Sequence, residues 1–409
     1  KTCNTLIKYY ICLILFLKIF MKKISILFAF LLVQQFGFSQ DRVITTGVPF
    51  LLVAADARSA GLGDQGVATS PDAYSQQYNP AKFAFSQEAQ GFSLSYTPYL
   101  TDLVNDISLG QITYFNRFNE RSAFAVSLRY FGLGEIELRQ NFDDIPNVVK
   151  PSEFAVDASY SLKLSEVFSM AVAGRFINSS LKIPDSQGDA SAASTFAVDV
   201  AGYYQSEEIA FNDFNGRFRG GFNFQNMGPK IQYDKSAGDN NANFIPANMK
   251  VGAGFDFIFD EYNKVSLTTE FNKLLVPTPQ NPDINGDGDV TQEEIIQTNE
   301  DYSNIGWVSG MFKSFGDAPD GFSEELKEFT YAVGAEYLYQ DSFAFRLGYF
   351  NESIEKGARK FFALGAGFKY NVVKLDVSYL FSASKVKNPL ENTLRFSLTF
   401  NFGENYDEY

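Results

Sequence analysis

The chain has 409 residues, a net charge of −14, no histidine, two cysteines, and 43 Phe and 22 Tyr against a single Trp. That length allows two or three soluble domains or one large barrel, and the missing histidine excludes a Ser-His-Asp triad, a Cys-His pair and an imidazole metal site. An aromatic content of 16% is more than an acidic soluble protein needs, so the question is where the rings sit.

Residues 1–20 precede Met21 and read as an over-called upstream start. Residues 21–39 have the layout of a secretory signal peptide: Met21-Lys22-Lys23, an apolar run over 24–33, and Gly37 and Ser39 at −3 and −1. A membrane helix over 9–20 is the competing reading, and Cys12 lacks the small-residue context of a lipid anchor. Cleavage after Ser39 would remove Cys3 and Cys12, leaving no thiol for a disulfide, a zinc site or a nucleophile. It would also remove five lysines and no acid, leaving 29 basic against 48 acidic residues, a net charge of −19. A body this acidic argues against a nucleic-acid partner. No other run reaches the ~18 apolar residues of a spanning helix.

Residues 40–90 do not alternate. Ser70-Pro71-Asp72-Ala73-Tyr74 predicts a helix start with Ser70 as N-cap and Pro71 at the first position, stopped by Asn79-Pro80. A Gly-rich, partly helical segment ahead of a barrel can fold back into its lumen as a hatch. The competing picture is a disordered tail, against which Phe50, Leu51, Leu52, Val53 and Leu62 count.

From residue 91 the pattern changes to period two. Phe124, Val126, Leu128 and Tyr130 alternate with Ala123, Ala125, Ser127 and Arg129; Met249, Val251, Ala253, Phe255 and Phe257 alternate with Lys250, Gly252, Gly254 and Asp256. Each such segment has one apolar wall and one small, polar or charged wall, which carries Asp157, Asp199, Glu270, Glu336 and Asp376. About ten alternating residues between turns is the transmembrane β-barrel pattern, with the aromatics on the lipid face. Short turns at 119–120, 164–166, 260–263, 340–341 and 370–372 interleave with longer loops at 100–106, 141–151, 181–193, 228–247, 275–327, 351–359 and 383–391. Short turns belong to the periplasmic side and long loops to the outside. Strict alternation places 207–215 on the periplasmic side and makes 131–140 the kinked outer end of a strand that begins at Ser122.

The predicted strands are 91–99, 107–117, 122–140, 152–164, 166–180, 194–206, 216–227, 248–260, 263–274, 328–340, 342–350, 360–371, 372–382 and 392–402. The fold class is therefore all-β, a 14-stranded antiparallel transmembrane barrel over 91–402, with an N-terminal hatch or plug and a C-terminal tail over 403–409. Inward glycines at 252, 254, 365 and 367 leave room inside. A soluble β-sandwich also alternates, but it would carry its charges outward. No catalytic constellation emerges: the inward carboxylates are spread around a wall, and the glycines of 363–367 lie in a strand, not a phosphate loop.

In the 275–327 loop, residues 283–294 fit a twelve-residue calcium loop. Asp283, Asn285 and Asp287 fall at positions 1, 3 and 5, Gly288 at the sharp turn, Asp289 gives a carbonyl at 7, Thr291 holds a water at 9 and Glu294 is the bidentate ligand at 12. Three prolines precede it and 292–299 reads as a short exiting helix, so the calcium expected here stiffens the loop. The bland reading is a solvated acidic turn, in a loop with eleven acids and two lysines.

Ala57-Arg58, Ala60-Gly61 and Gly66-Val67-Ala68, followed by Ala73 and Tyr78-Asn79-Pro80-Ala81, resemble the N-terminal hatch of FadL-type barrels. Within these, the run Asp56-Ala57-Arg58-Ser59-Ala60-Gly61-Leu62-Gly63-Asp64, with Gln77-Tyr78-Asn79-Pro80-Ala81-Lys82, most resembles the PorV family of the type IX secretion system. Asp56, Arg58, Gly61, Gly63, Asn79 and Pro80 carry the motif, and fourteen strands is the FadL-type number. The likeness covers the mature chain in architecture and is concentrated in 44–90 in sequence. It implies a non-enzymatic component in outer-membrane lipid, which binds cargo C-terminal signal domains leaving the SprA/Sov translocon barrel and shuttles them to PorU-type attachment machinery. The wider FadL resemblance implies instead a transporter for long-chain fatty acids or other hydrophobic molecules. Trp307, Met311, Phe312 and Phe315 are the candidates for touching cargo, unless they pack within their own loop.

Overall fold

A computed structural model describes residues 43–101, 104–139, 143, 145–181, 192–233, 242–384 and 388–405. The period-two segments form β1 (Glu88–Pro98), β2 (Ile107–Arg117), β3 (Ser122–Leu133), β4 (Ser152–Ser165), β5 (Phe168–Ser180), β6 (Ala193–Gln205) and β7 (Asn215–Met227). The second half supplies β8 (Asn248–Ile258), β9 (Asn263–Leu274), β10 (Phe329–Tyr339), β11 (Phe343–Asn351), β12 (Lys360–Tyr370), β13 (Val373–Ser382) and β14 (Leu394–Asn405). Each pairs antiparallel with its chain neighbours, and β14 closes the ring on β1, with Phe92 opposite Phe400 and Tyr96 opposite Phe396. Closure leaves no unpaired edge, which is what lets strands cross a bilayer. Among the described residues no helix is long and apolar enough to cross a membrane.

Three expectations need correction. β3 ends at Leu133, and Ile136–Leu138 pairs with Asn147–Val149 as a separate small hairpin. The break is at Gly134, whose φ of +77° turns the chain out of the strand while the Glu135 amide donates to Asp106. The predicted helix start at Ser70 is absent, because Arg58 takes the Ser70 hydroxyl and the Asp72 carboxylate, and the helix forms only over Ser75–Tyr78 (α2). The sheet also starts earlier and ends later than the alternation indicated, since the barrel closes through the pair Glu88 and Asn405. On the 207–215 connection, Ile209–Ala210 adds a two-residue pairing to the start of β7.

Alternation puts one side chain in two on the outside. Phe92, Leu94, Tyr96, Val126, Tyr130, Val172, Phe176, Phe196, Phe345, Leu347, Phe362 and Leu364 are all exposed there. An apolar belt around the whole ring far exceeds the few hundred Å² a soluble monomer shows; it is the lipid-facing surface of an outer-membrane barrel. Aromatics collect at its edges, as with Phe118, Tyr160, Phe259 and Tyr370 near the short turns.

Residues 43–86 lie inside the ring. Their elements are a 3-10 turn (Pro49–Leu52), α1 (Ala57–Gly61), α2, and a second 3-10 stretch (Pro80–Phe85). α1 starts where the Asp56 carboxylate accepts the Ser59 amide, an N-cap. Asn79 ends α2, and its side chain accepts the Ala81 amide to start the next turn. The wall gives way to this segment at glycines: a Cβ at Gly348 would meet the Gly63 nitrogen at 2.1 Å, and one at Gly61 would meet the Gly365 Cα at 3.0 Å.

Candidate functional site

Two regions concentrate polar or exposed chemistry: the contact between hatch and wall, and the long loop over 275–327.

The hatch–wall contact is built from inward strand residues reaching backbone and charge on the hatch. Arg58, on α1, donates to both oxygens of Glu336 on β10 at 3.1 and 2.8 Å, and to Asp72 at 2.6 Å. Glu336 also accepts from Arg346 of β11 at 2.5 Å, and Arg346 lies 2.8 Å from Asp376 of β13. Glu270 on β9 accepts the amides of Gly66 and Val67 at 2.7 and 2.8 Å. Arg129 on β3 donates to the carbonyls of Phe50, Leu51 and Val53. Arg395 on β14 reaches Asp64 at 3.0 Å. Further bonds run from Ser159, Ser169 and Asn223 to Gln76, Ala81 and Tyr78. These bonds satisfy from the wall many of the hatch's buried carbonyls, amides and charges, as low-dielectric burial favours.

The fully buried Lys82 ammonium donates to the Gly66 carbonyl and the Thr69 hydroxyl, within the hatch itself. Below Ser70–Tyr74, at the short-turn end, lies a cavity of about 190 Å³ lined in part by Asp72, Lys264, Lys369, Lys374, Asp376 and Asn401. Its charged lining suits water better than an apolar solute.

The long loop has its own helices: α3 (Gln292–Asn304), α4 (Trp307–Lys313) and α5 (Phe322–Lys327). Its base is clamped by buried ion pairs, Lys273 to Glu325 and Glu328 at 2.7 and 2.6 Å, and Lys356 to Glu324 and Glu328 at 2.7 and 3.0 Å. Its middle rests on the 228–247 loop, where the Phe244 ring meets Tyr302 at 5.5 Å and Lys230 donates to the Ser303 carbonyl. Residues 283–294 turn through Gly286 and Gly288, at φ +73° and +88°. Asp283 accepts the amides of Gly286 and Gly288, Asn285 accepts that of Asp287, and Asp287 accepts that of Asp289. Thr291 and Glu294 form a capping box that starts α3, which runs five residues past the predicted 299. Hydrogen bonds from the Thr291 amide and hydroxyl, and from the Asn285 amide, hold the Glu294 carboxyl below its ordinary range.

Of the predicted metal ligands, the structure brings Asp283, Asn285, Asp287, Asp289, Thr291 and Glu294 onto one compact turn. Their oxygens are engaged with loop amides, and among the described residues no three His, Cys, Asp or Glu converge on a metal-sized site. Of the cargo candidates, Phe312 and Phe315 are 75% and 48% exposed, whereas Trp307 and Met311 are half-buried. Val308, Phe322 and Leu326 are also exposed and were missed. The signal was legible: Val308/Phe312 and Phe322/Leu326 are i,i+4 pairs, each on one helix face. The hatch motif residues Asp56, Arg58, Gly61, Gly63, Asn79 and Pro80 all lie in the lumen. What the motif did not reveal is that Arg58 meets Glu336 on the wall and Asp72 within the hatch.

A closed fourteen-strand ring, apolar outside and filled inside by its own N-terminal segment, defines an outer-membrane β-barrel protein with its long loops extracellular. The chain belongs to the PorV family, described as type IX secretion system protein PorV, whose profile matches residues 36–281. Comparison with curated proteins returns no match. Among solved structures it is similar to the toluene transporter TodX of Pseudomonas putida, at 10% identity over 86% of this chain and 99% of that one, TM-score 0.49. It is also similar to the toluene transporter TbuX of Ralstonia pickettii (12%, 87% and 100%, TM-score 0.46) and to a FadL homologue of Pseudomonas aeruginosa (12%, 86% and 99%, TM-score 0.43).

Proposed function

We propose that this protein is a non-enzymatic component of the type IX secretion system. It binds the C-terminal signal domain of cargo leaving the SprA/Sov-type translocon barrel and passes it to PorU-type attachment machinery. The observation that carries this reading is the pairing of a filled, polar lumen with an exposed apolar surface on the long-loop side. A path for hydrophobic solutes needs an apolar bore, and here the inward wall is bonded to the hatch by charge and amide. A protein-docking surface needs rigid, exposed apolar anchors, and Phe312, Phe315 and Phe322 stand out from a loop clamped at its base.

In this reading the 283–294 turn holds one calcium ion that stiffens the same loop. Asp283, Asn285, Asp287, the Asp289 carbonyl, Thr291 through water, and Glu294 are the oxygen donors, a hard set suited to that cation. Two features of the turn support this reading: its glycines take left-handed positions, and the Glu294 carboxylate accepts the Asn285 amide across it. Calcium would also relieve the repulsion among eleven acids.

A deletion strain tests the function. Loss of many secreted proteins from the medium and surface, with fatty-acid uptake unchanged, is the expected result. Normal secretion with impaired uptake would overturn the reading in favour of hydrophobic transport. Copurification with a much larger barrel is the expected companion result.

A further inference from the structure

Strand direction gives each end of the barrel an identity, and the hatch can be placed against it residue by residue. β1 and β3 run from the short-turn end to the long-loop end, whereas β2, β6, β8 and β14 run back. At the hatch's beginning, the Gly47 amide donates to the Phe244 carbonyl at 2.8 Å, and Gly47 packs on Ile231, both in the 228–247 loop. Phe50 stacks on Phe131, near the long-loop end of β3, with centroids 6.2 Å apart. Thr97, at the long-loop end of β1, donates to the Ala55 carbonyl.

Midway, Gly61 and Val67 meet Gly365 and Gly252, at the centres of β12 and β8. At the hatch's end, Ser169 at the start of β5 donates to Ala81, and Arg117 at the close of β2 donates to Ser86 at 2.5 Å, both at the short-turn end. The chain therefore descends the full lumen between Val43 and Ser86.

We infer that Val43 opens on the same side of the membrane as the long loops, the extracellular side, while the hatch joins β1 at the opposite face. The two ends of the described chain, Val43 and Asn405, then lie on opposite sides of the bilayer. A hatch that hung from β1 alone could be drawn out of the short-turn mouth as one body. This one is held at both mouths, with the Gly47 bond above and the Ser86 bond below. Withdrawing it downward would drag 43–55 through the lumen, past Arg129 and Phe131. Opening without that passage rearranges the hatch between its two anchored ends.

The chain's two cysteines are Cys3 and Cys12, so once both are replaced single cysteines report sidedness cleanly. In a background with Cys3 and Cys12 replaced by Ser, exposed Val43→Cys is compared with Ser309→Cys on the long loop and Glu120→Cys on a short turn. A membrane-impermeant maleimide is applied to intact cells and then to lysed cells. The expected result is that Val43→Cys labels on intact cells alongside Ser309→Cys, with labelling of Glu120→Cys lost until lysis. Thr45→Cys, also exposed, is expected to repeat the result if Val43→Cys is poorly produced. Val43→Cys and Thr45→Cys labelling only after lysis, with Glu120→Cys, while Ser309→Cys labels on intact cells, would overturn the inference and leave the orientation of the loops standing. If Ser309→Cys itself labels only after lysis, the loops-outside orientation fails instead, and Val43→Cys grouping with Glu120→Cys rather than Ser309→Cys still decides against the inference.

Discussion

Replacing Arg58 by Met removes a guanidinium that makes five hydrogen bonds, to Glu336, Asp72 and Ser70, while keeping most of its bulk. The two carboxylates are not left equal. Glu336 keeps Arg346 at 2.5 Å, so its charge stays compensated. Asp72 keeps only neutral donors in direct contact, the Tyr74 amide and the Ser75 hydroxyl, with Lys82 and Lys374 acting on it at longer range. One buried carboxylate therefore loses its bonded cation while keeping more distant ones, and the cost belongs at the low end of the ~3–5 kcal/mol that follows loss of a buried ion-pair partner. At ~1.4 kcal/mol per factor of ten, about 3 kcal/mol corresponds to roughly a hundredfold more frequent opening of the hatch. Amide hydrogen exchange of the detergent-solubilised protein reads this directly: residues 56–74 should lose protection, while the strand amides, bonded within the ring, act as the internal reference. Adding Asp72→Asn to Arg58→Met removes that carboxylate's charge and should restore part of the protection. Unchanged exchange over 56–74, or equal loss in hatch and strands, would refute the idea that Arg58 fastens the hatch specifically.

Gly348→Ala places a methyl against the Gly63 nitrogen and the Leu62 backbone; overpacking of ~1–3 kcal/mol or more should lower the temperature at which the folded barrel band is lost on a gel. Phe312→Ser with Phe315→Ser should weaken binding of a cargo signal domain by ~2 kcal/mol or more, a hot-spot loss, without changing barrel assembly; unchanged affinity removes these residues from the docking surface. Glu294→Gln should abolish calcium uptake and the calcium-dependent protease resistance of the 275–327 loop, with fluorescence of the single Trp307 as a second readout; equal calcium content in wild type and variant would show that the turn is no site.

The period-two pattern was enough to read the strands, because in a bilayer each strand meets lipid on one face and lumen on the other, so the burden on each residue is local. That is why Phe124, Val126 and Leu128 declare an outer wall while Ala125 and Ser127 declare an inner one. Where a local conformation depended on a distant partner, the pattern misled. Ser70-Pro71 has the form of a helix start, yet Arg58 consumes the Ser70 hydroxyl; the stretch after Leu133 reads as one strand, yet Gly134 and Asp106 break it.

The sequence by itself determined the strand number, the inward and outward faces, the hatch motif and the turn-forming order of the acidic loop, because each rests on residue type at fixed short spacing. Only the tertiary structure decided which inward charge answers which hatch group. Glu336 lies 278 positions from Arg58 and Arg395 lies 331 from Asp64; no period joins them, and only closure of the ring around the segment brings them within a hydrogen bond. The direction in which the hatch threads the lumen was likewise invisible, since a segment without alternation carries no mark of the mouth it enters.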